Sequence, residues 1–197
     1  MSKTDAASEK KERNKTIRWV ITIFFVTILI SGVISLVSDQ IMAVSGMLVA
    51  FLILLAIVMI GIFFDIVGVA VTSADEKPFH SMAARKVPGA SDAIKLLRNA
   101  ERVSSICCDV IGDICGVVSG SASATIAAQI LADFTFTWPR MVSLAMSALV
   151  AGLTVGGKAV GKTFAMHSST KIVHSVGKLL YTMHTLPKLL SKKKKKK

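Results

Sequence analysis

Three aspartates and one lysine stand in sequence that is otherwise too apolar for them. Asp65, Asp109, Asp113 and Lys158 each fall within or at the edge of a long hydrophobic stretch. A charge at the centre of a membrane-spanning helix costs about 2.5–3.5 kcal/mol on insertion scales, so each calls for a partner or a task. Carboxylates facing a bundle interior supply the hard oxygens that Mg2+ prefers, with several waters retained. Asp109 and Asp113, four residues apart, share one face of a helix. The other reading of Asp65 and Asp109 is a place near an interface, paired with a Lys or Arg of the polar segment between the helices. Asp113 lies deeper and is the better metal candidate. Lys158 either snorkels to an interface or neutralises an aspartate inside the bundle.

The elements that position these groups follow from how the chain segregates charge. It has 197 residues, 52% of them hydrophobic, and a net charge of +12. Residues 19–37 and 41–64 contain no charged side chain. About 20 apolar residues cross a hydrocarbon core of roughly 30 Å. This excludes a soluble globule, a secreted disulfide scaffold and a disordered tail. The first apolar run is too long for a signal-peptide core and is expected to remain as a span. Cys107, Cys108 and Cys115 lie in one apolar stretch and lack zinc-ligand spacing, so they are expected to be packing residues. His80, His167, His174 and His184 fall in polar segments and are expected to be solvated or lipid-facing. No nucleophile elbow, phosphate loop or zinc-binding motif occurs, and no enzyme is expected.

Residues 1–18 form a basic tail and residues 19–37 the first span, with Thr27, Ser31, Ser35 and Gly32 on its packing side. Ser38, Asp39 and Gln40 make a turn. The second span runs from about 41 to 73. The polar segment 75–102 is expected to be a helical hairpin turning at Pro88-Gly89, with Ser91 capping the helix that follows. Residues 103–132 form the third span. In it Gly112, Gly116 and Gly120 make a doubled small-residue ridge for close helix packing. The fourth span begins near Met141 and ends within 156–161. Residues 167–190 carry apolar side chains at three- and four-residue spacing, with Pro187 as the expected stop.

Of 24 Lys and Arg residues, four spans place 23 on one side, and only Arg140 falls in a loop on the other. The positive-inside rule then puts both termini and the hairpin in the cytoplasm. The basic charge comes with no nucleic-acid recognition motif, so no nucleic acid is expected as a partner. It suits the anionic inner leaflet, with Lys171, Lys178, Lys192, Lys193, Lys194, Lys195, Lys196 and Lys197 as the surface-binding residues.

Three stretches resemble the transmembrane domain of the CorC/cyclin-M (CNNM) magnesium-transporter family. The segment FDIVGVAVTS, residues 64–73, resembles the family's F-S-x-x-E-T-A-L-T-S, and KLLRNAER, residues 95–102, resembles its K-L-L-x-x-P-E-R. GDICGVVSGSASATIAA, residues 112–128, resembles the glycine-asparagine segment of the next helix. GKAVGKTFA, residues 157–165, resembles G-E-x-x-P-K-[ST]-x-A at the end of the last span. The likeness extends over residues 47–181 and implies that the family's three spans are helices two to four here. It also implies that Gly68, Gly112, Asp113, Gly157, Lys158 and Lys162 occupy motif positions around the family's cation site. Gly68 and Lys158 stand where the family has Glu, Asp113 where it has Asn, and Gly161 where it has Pro.

The expected fold is therefore all-α. It comprises four transmembrane helices within residues 19–165, a cytoplasmic helical hairpin at 75–102, and an amphipathic interfacial helix with a polylysine tail at 166–197. The CBS pair of the family is absent from the sequence. The resemblance implies a multi-pass cell-membrane protein that binds or transports Mg2+ or a similar divalent cation, with Asp113, Asp109 and Asp65 as ligands. The alternative is a non-transporting scaffold or regulatory subunit on the same fold. The glycine ridge would pack it against a second copy or another membrane protein.

Overall fold

The computed structural model describes residues 3–134 and 138–194, without side chains for 3–15, 43–44 and 186–194. Among the described residues there are helices and turns but no strand. In chain order they are α1 (Lys3–Val44), α2 (Met47–Ser73), α3 (Lys77–Ala84), α4 (Ala90–Arg98), α5 (Ala100–Ser104), a π-helical segment (Ser105–Gly112), α6 (Asp113–Asp133), α7 (Pro139–His167) and α8 (Ser169–Lys194). Four helical stretches are long and apolar enough to cross a membrane: Thr16–Met42, Met47–Ser73, Ala100–Asp133 and Pro139–His167.

At the centre is α2, which packs against α6, α7, the π segment, α5 and α8. Close approach comes from glycine. A Cβ on Gly157 of α7 would lie 2.3 Å from Ile62 Cδ1, and one on Gly161 would lie 2.8 Å from Ile66 Cγ1. The isoleucines of α2 fill those notches. The glycines therefore do not end the fourth span within 156–161 as expected. They serve as packing positions, and the helix continues to His167.

The first connection also differs from expectation. Ser38, Asp39 and Gln40 are not a turn, because α1 continues to Val44 and the chain reverses at Ser45-Gly46. Ser38 and Met42 are buried against the bundle. Ser121 donates to Asp39 Oδ1 at 3.5 Å, and Gln129 Nε2 donates to the Met42 carbonyl at 3.0 Å. These tertiary contacts outweigh the turn propensity of Ser and Asp. The basic tail is likewise helical from Lys3, continuous with the span. Thr27, Ser31 and Ser35 are half-buried, whereas Gly32 is exposed with open space around it.

One end of the bundle, the hairpin end, carries α3, α4, α5 and α8. Arg98 donates to Glu76 Oε1 at 2.9 Å and His80 lies 3.2 Å from the same oxygen, which ties α4 to the start of α3. The hydrogen bond from Arg98 holds the Glu76 carboxyl below its ordinary range against a smaller opposing effect of desolvation. Pro88-Gly89 turns the hairpin as expected, with Gly89 at φ +86°. The helix after it starts at Ala90, with Gly89 rather than Ser91 at its cap, and no side chain caps it. A buried cluster of Val67, Ala70 and Val71 (α2), Phe79 (α3), Ala93 (α4), Ala165 (α7) and Val173 (α8) closes this end.

The reversed connection sharpens the topology test. With the hairpin in the cytoplasm, a cysteine at Ser45 should react with an impermeant thiol reagent on intact cells, in a background lacking the three native thiols. A cysteine at Glu101 should react only after permeabilisation. The opposite pattern would invert the orientation.

Candidate functional site

Asp65, Asp113 and Lys158, three of the four charged groups read from the sequence, lie in one layer at the hairpin end. Asp65 is 18 residues from Met47, Asp113 is 20 from Asp133 and Lys158 is 19 from Pro139. At 1.5 Å per residue each lies about 27–30 Å from the far end of its own helix, one hydrocarbon thickness away.

Of the three aspartates only Asp65 is buried, with its side chain 4% exposed. It faces the π segment. Eight residues there adopt the wider helix, a form frequent at functional sites, and sequence periodicity carries no sign of it. Small side chains let the segment come close to α2. A Cβ on Gly68 would meet Cys108 Sγ at 2.4 Å, and a Cβ on Gly61 would meet Cys115 Cβ at 2.8 Å. The Cys108 thiol donates to the Asp65 main-chain carbonyl at 3.7 Å. Gly68 is thus a slot for a cysteine.

Gly112 ends the π segment beneath the charges. A Cβ on it would lie 3.4 Å from Lys158 Nζ and 3.9 Å from Asp65 Oδ1. Lys158 Nζ donates to the Gly112 carbonyl at 3.4 Å and pairs with Asp113 Oδ1 at 3.7 Å. One helical turn on, Lys162 Nζ lies 4.0 Å from Asp65 Oδ2. That oxygen is buried and accepts no hydrogen bond. The layer therefore holds two carboxylates and two ammonium groups around the main-chain carbonyl of the buried Gly112.

The aspartates do not converge as expected of a metal site. Asp113, the favoured candidate, is 72% exposed and turns away from the bundle interior. Asp109 is also exposed and takes part in none of the ion pairs among the described residues. No three His, Cys, Asp or Glu side chains among the described residues could together hold a metal ion. A bare Mg2+ wants several oxygens and no nearby cation. The residues here do not fit it, because Lys158 already takes the Gly112 carbonyl and Asp113.

The remaining expected positions divide. Gly112 and Gly157 are contact glycines, whereas Gly116 and Gly120 have open space where a Cβ would project. His174, expected to be solvated or lipid-facing, has a buried Nε2 without a hydrogen-bond partner. Of the polylysine tail, Lys192, Lys193 and Lys194 fall within α8, which runs through Pro187, while Lys195, Lys196 and Lys197 lie outside the described residues. The cysteine slots were missed by sequence reasoning, although the pairing of glycines on α2 with cysteines on the next span was a usable signal. Compared with known proteins, the chain matches no family model, no curated protein and no solved structure.

The layer predicts an asymmetry between its charges. Lys158→Met removes the partner of Asp113 and leaves two carboxylates with Lys162 alone, so the layer carries a net negative charge beside the buried Asp65 and should lose stability. Asp65→Asn removes the buried charge, and the half-exposed Lys162 can turn to water. Thermal unfolding in detergent should show a larger loss for Lys158→Met than for Asp65→Asn. The reverse order would mean that Lys158 does not stabilise the layer.

Proposed function

We propose that the protein is a multi-pass cell-membrane protein that acts as a non-transporting scaffold or regulatory subunit. Three stretches of its sequence resemble a divalent-cation transporter domain, and tethered ammonium groups stand where that resemblance would put a cation. The observation that carries this reading is Lys158 Nζ within 3.4 Å of the Gly112 carbonyl and 3.7 Å of Asp113. With Lys162 beside Asp65, the two lysines match the two carboxylates in charge. A divalent ion entering that layer would add two positive charges to a neutral set.

The flux assay is direct. Protein reconstituted into liposomes loaded with a Mg2+-sensitive dye should pass no more Mg2+ than protein-free vesicles. Mg2+ entry above that background, abolished by Asp65→Asn, would reject the reading. It would favour the second one, divalent-cation binding or transport, which draws support from the buried Asp65 oxygen that accepts no hydrogen bond.

A scaffold needs a surface for a partner, and α6 supplies one. Gly116 and Gly120 meet nothing within 4 Å, and they continue along α6 into exposed Ala124 and Ala128 at four-residue spacing. In lipid such a stripe favours close helix association, and a second copy of the chain is the partner we assign to it. Gly116→Leu should shift the detergent-solubilised protein to a smaller assembly in light scattering without loss of helix content. An unchanged mass would remove the stripe from that role.

A further inference from the structure

The C-terminal helix carries exposed apolar and cationic side chains that the bundle does not use. It begins two residues after α7 ends. Val173, fully buried, packs with Val67, Ala70 and Val71 of α2. Those residues are 20 to 24 positions from Met47. At 1.5 Å per residue they stand about 30–36 Å along α2, at the depth of the headgroups once the hydrocarbon core is crossed. One flank of α8 is pinned there. A Cβ on Gly177 would lie 2.6 Å from the Gly89 carbonyl oxygen and 3.0 Å from Ala93 Cβ, so the two backbones touch. The helix cannot roll without breaking that contact.

With this flank fixed, 100° per residue sets the others. Leu179 and Met183 share a flank with Ile172 and are 61% and 62% exposed. Lys171 and Lys178, seven residues apart and both exposed, share the flank beyond. They have no acidic neighbour to turn to along the chain, because no Asp or Glu occurs after Asp133. On the hairpin, Asp92 holds Lys95 at 2.9 Å and Glu76 holds Arg98 and His80. Neither Lys171 nor Lys178 takes part in an ion pair among the described residues. Downstream the sequence adds Lys188 and the six terminal lysines.

We propose that α8 is a docking element for anionic lipid, with Leu179 and Met183 in the acyl boundary and Lys171 and Lys178 on acidic headgroups of the leaflet at the hairpin end. Exposed apolar side chains at headgroup depth, flanked by uncompensated lysines, suit a lipid surface rather than a soluble acidic partner. The bundle orients the helix, and the leaflet's charge decides how firmly its second half is held. This holds whether or not the bundle transports an ion.

The test uses the full-length protein in nanodiscs of neutral phosphatidylcholine or of the same lipid with about one-third phosphatidylglycerol. Hydrogen exchange over residues 178–186 should be slower in the anionic discs at low salt, by about five-fold for each lysine engaged. The difference should vanish in about 1 M salt, where the Debye length is near 3 Å. Lys171→Gln/Lys178→Gln should shrink it with the bundle unchanged. Equal exchange in both discs would overturn the proposal. So would protection in neutral discs on adding soluble polyphosphate, which would assign the lysines to a soluble polyanion.

Discussion

The Asp65 carboxylate, buried beside a π-helical segment at the hairpin end of α2, sets the terms for its neighbours. An isolated carboxylate in such a place costs several kcal/mol even after relaxation. The chain meets this cost from one face of α7, where Lys158 and Lys162 sit one turn apart and reach across to α2 and to the start of α6. Because the layer lies near the end of the spans, both lysines can bury their carbon stems along apolar surface while their ammonium groups stay near water. The cations thus come at less cost here than they would at mid-span.

Bringing those side chains together requires helices closer than ordinary side chains allow. Gly61 and Gly68 admit Cys115 and Cys108, and Gly157 and Gly161 admit Ile62 and Ile66. In lipid, close backbone approach is the main source of association, since tails are as apolar as Leu. The same contacts that hold the bundle therefore set the depth and facing of the charged groups. A methyl added at Gly112 would lie in ordinary contact with both Lys158 Nζ and Asp65 Oδ1, so that glycine lines the charge layer directly.

Much of this was legible in the sequence, for identifiable reasons. The four spans showed because charge is segregated on a length scale the bilayer imposes. The meeting of Lys158 with Asp113 was foreseeable because two unpaired charges at one depth attract. Three features were not legible. Ser38, Asp39 and Gln40 look like a turn, and the helix runs on through them where Ser38 and Met42 are buried and Ser121 and Gln129, more than 80 residues away, bond to Asp39 and Met42. The π segment depends on tertiary fit against α2, and the sequence period does not announce it. Burial also ranked the aspartates differently from sequence depth. Asp113 lies further from the hairpin in sequence, but it sits at the first turn of α6 on an outward face, whereas Asp65 points at a neighbour.

A tethered ammonium differs from a bound metal ion in a way that bears on any cycle of binding and release. An ion leaves by mass action, and its site then stands empty with unbalanced carboxylates that draw in the next ion. Lys158 cannot leave, since its stem fixes Nζ near Gly112 at any external concentration. For a cation to replace it, the ammonium must swing out while the ion enters, so two charged groups exchange solvation at once. Lys162, already half-exposed and at 4.0 Å from Asp65, can make that swing at small cost. Lys158, with its side chain 21% exposed, is far more constrained. The barrier to a vacant layer therefore rests on Lys158, and the charge balance of the bundle is independent of the ions around it.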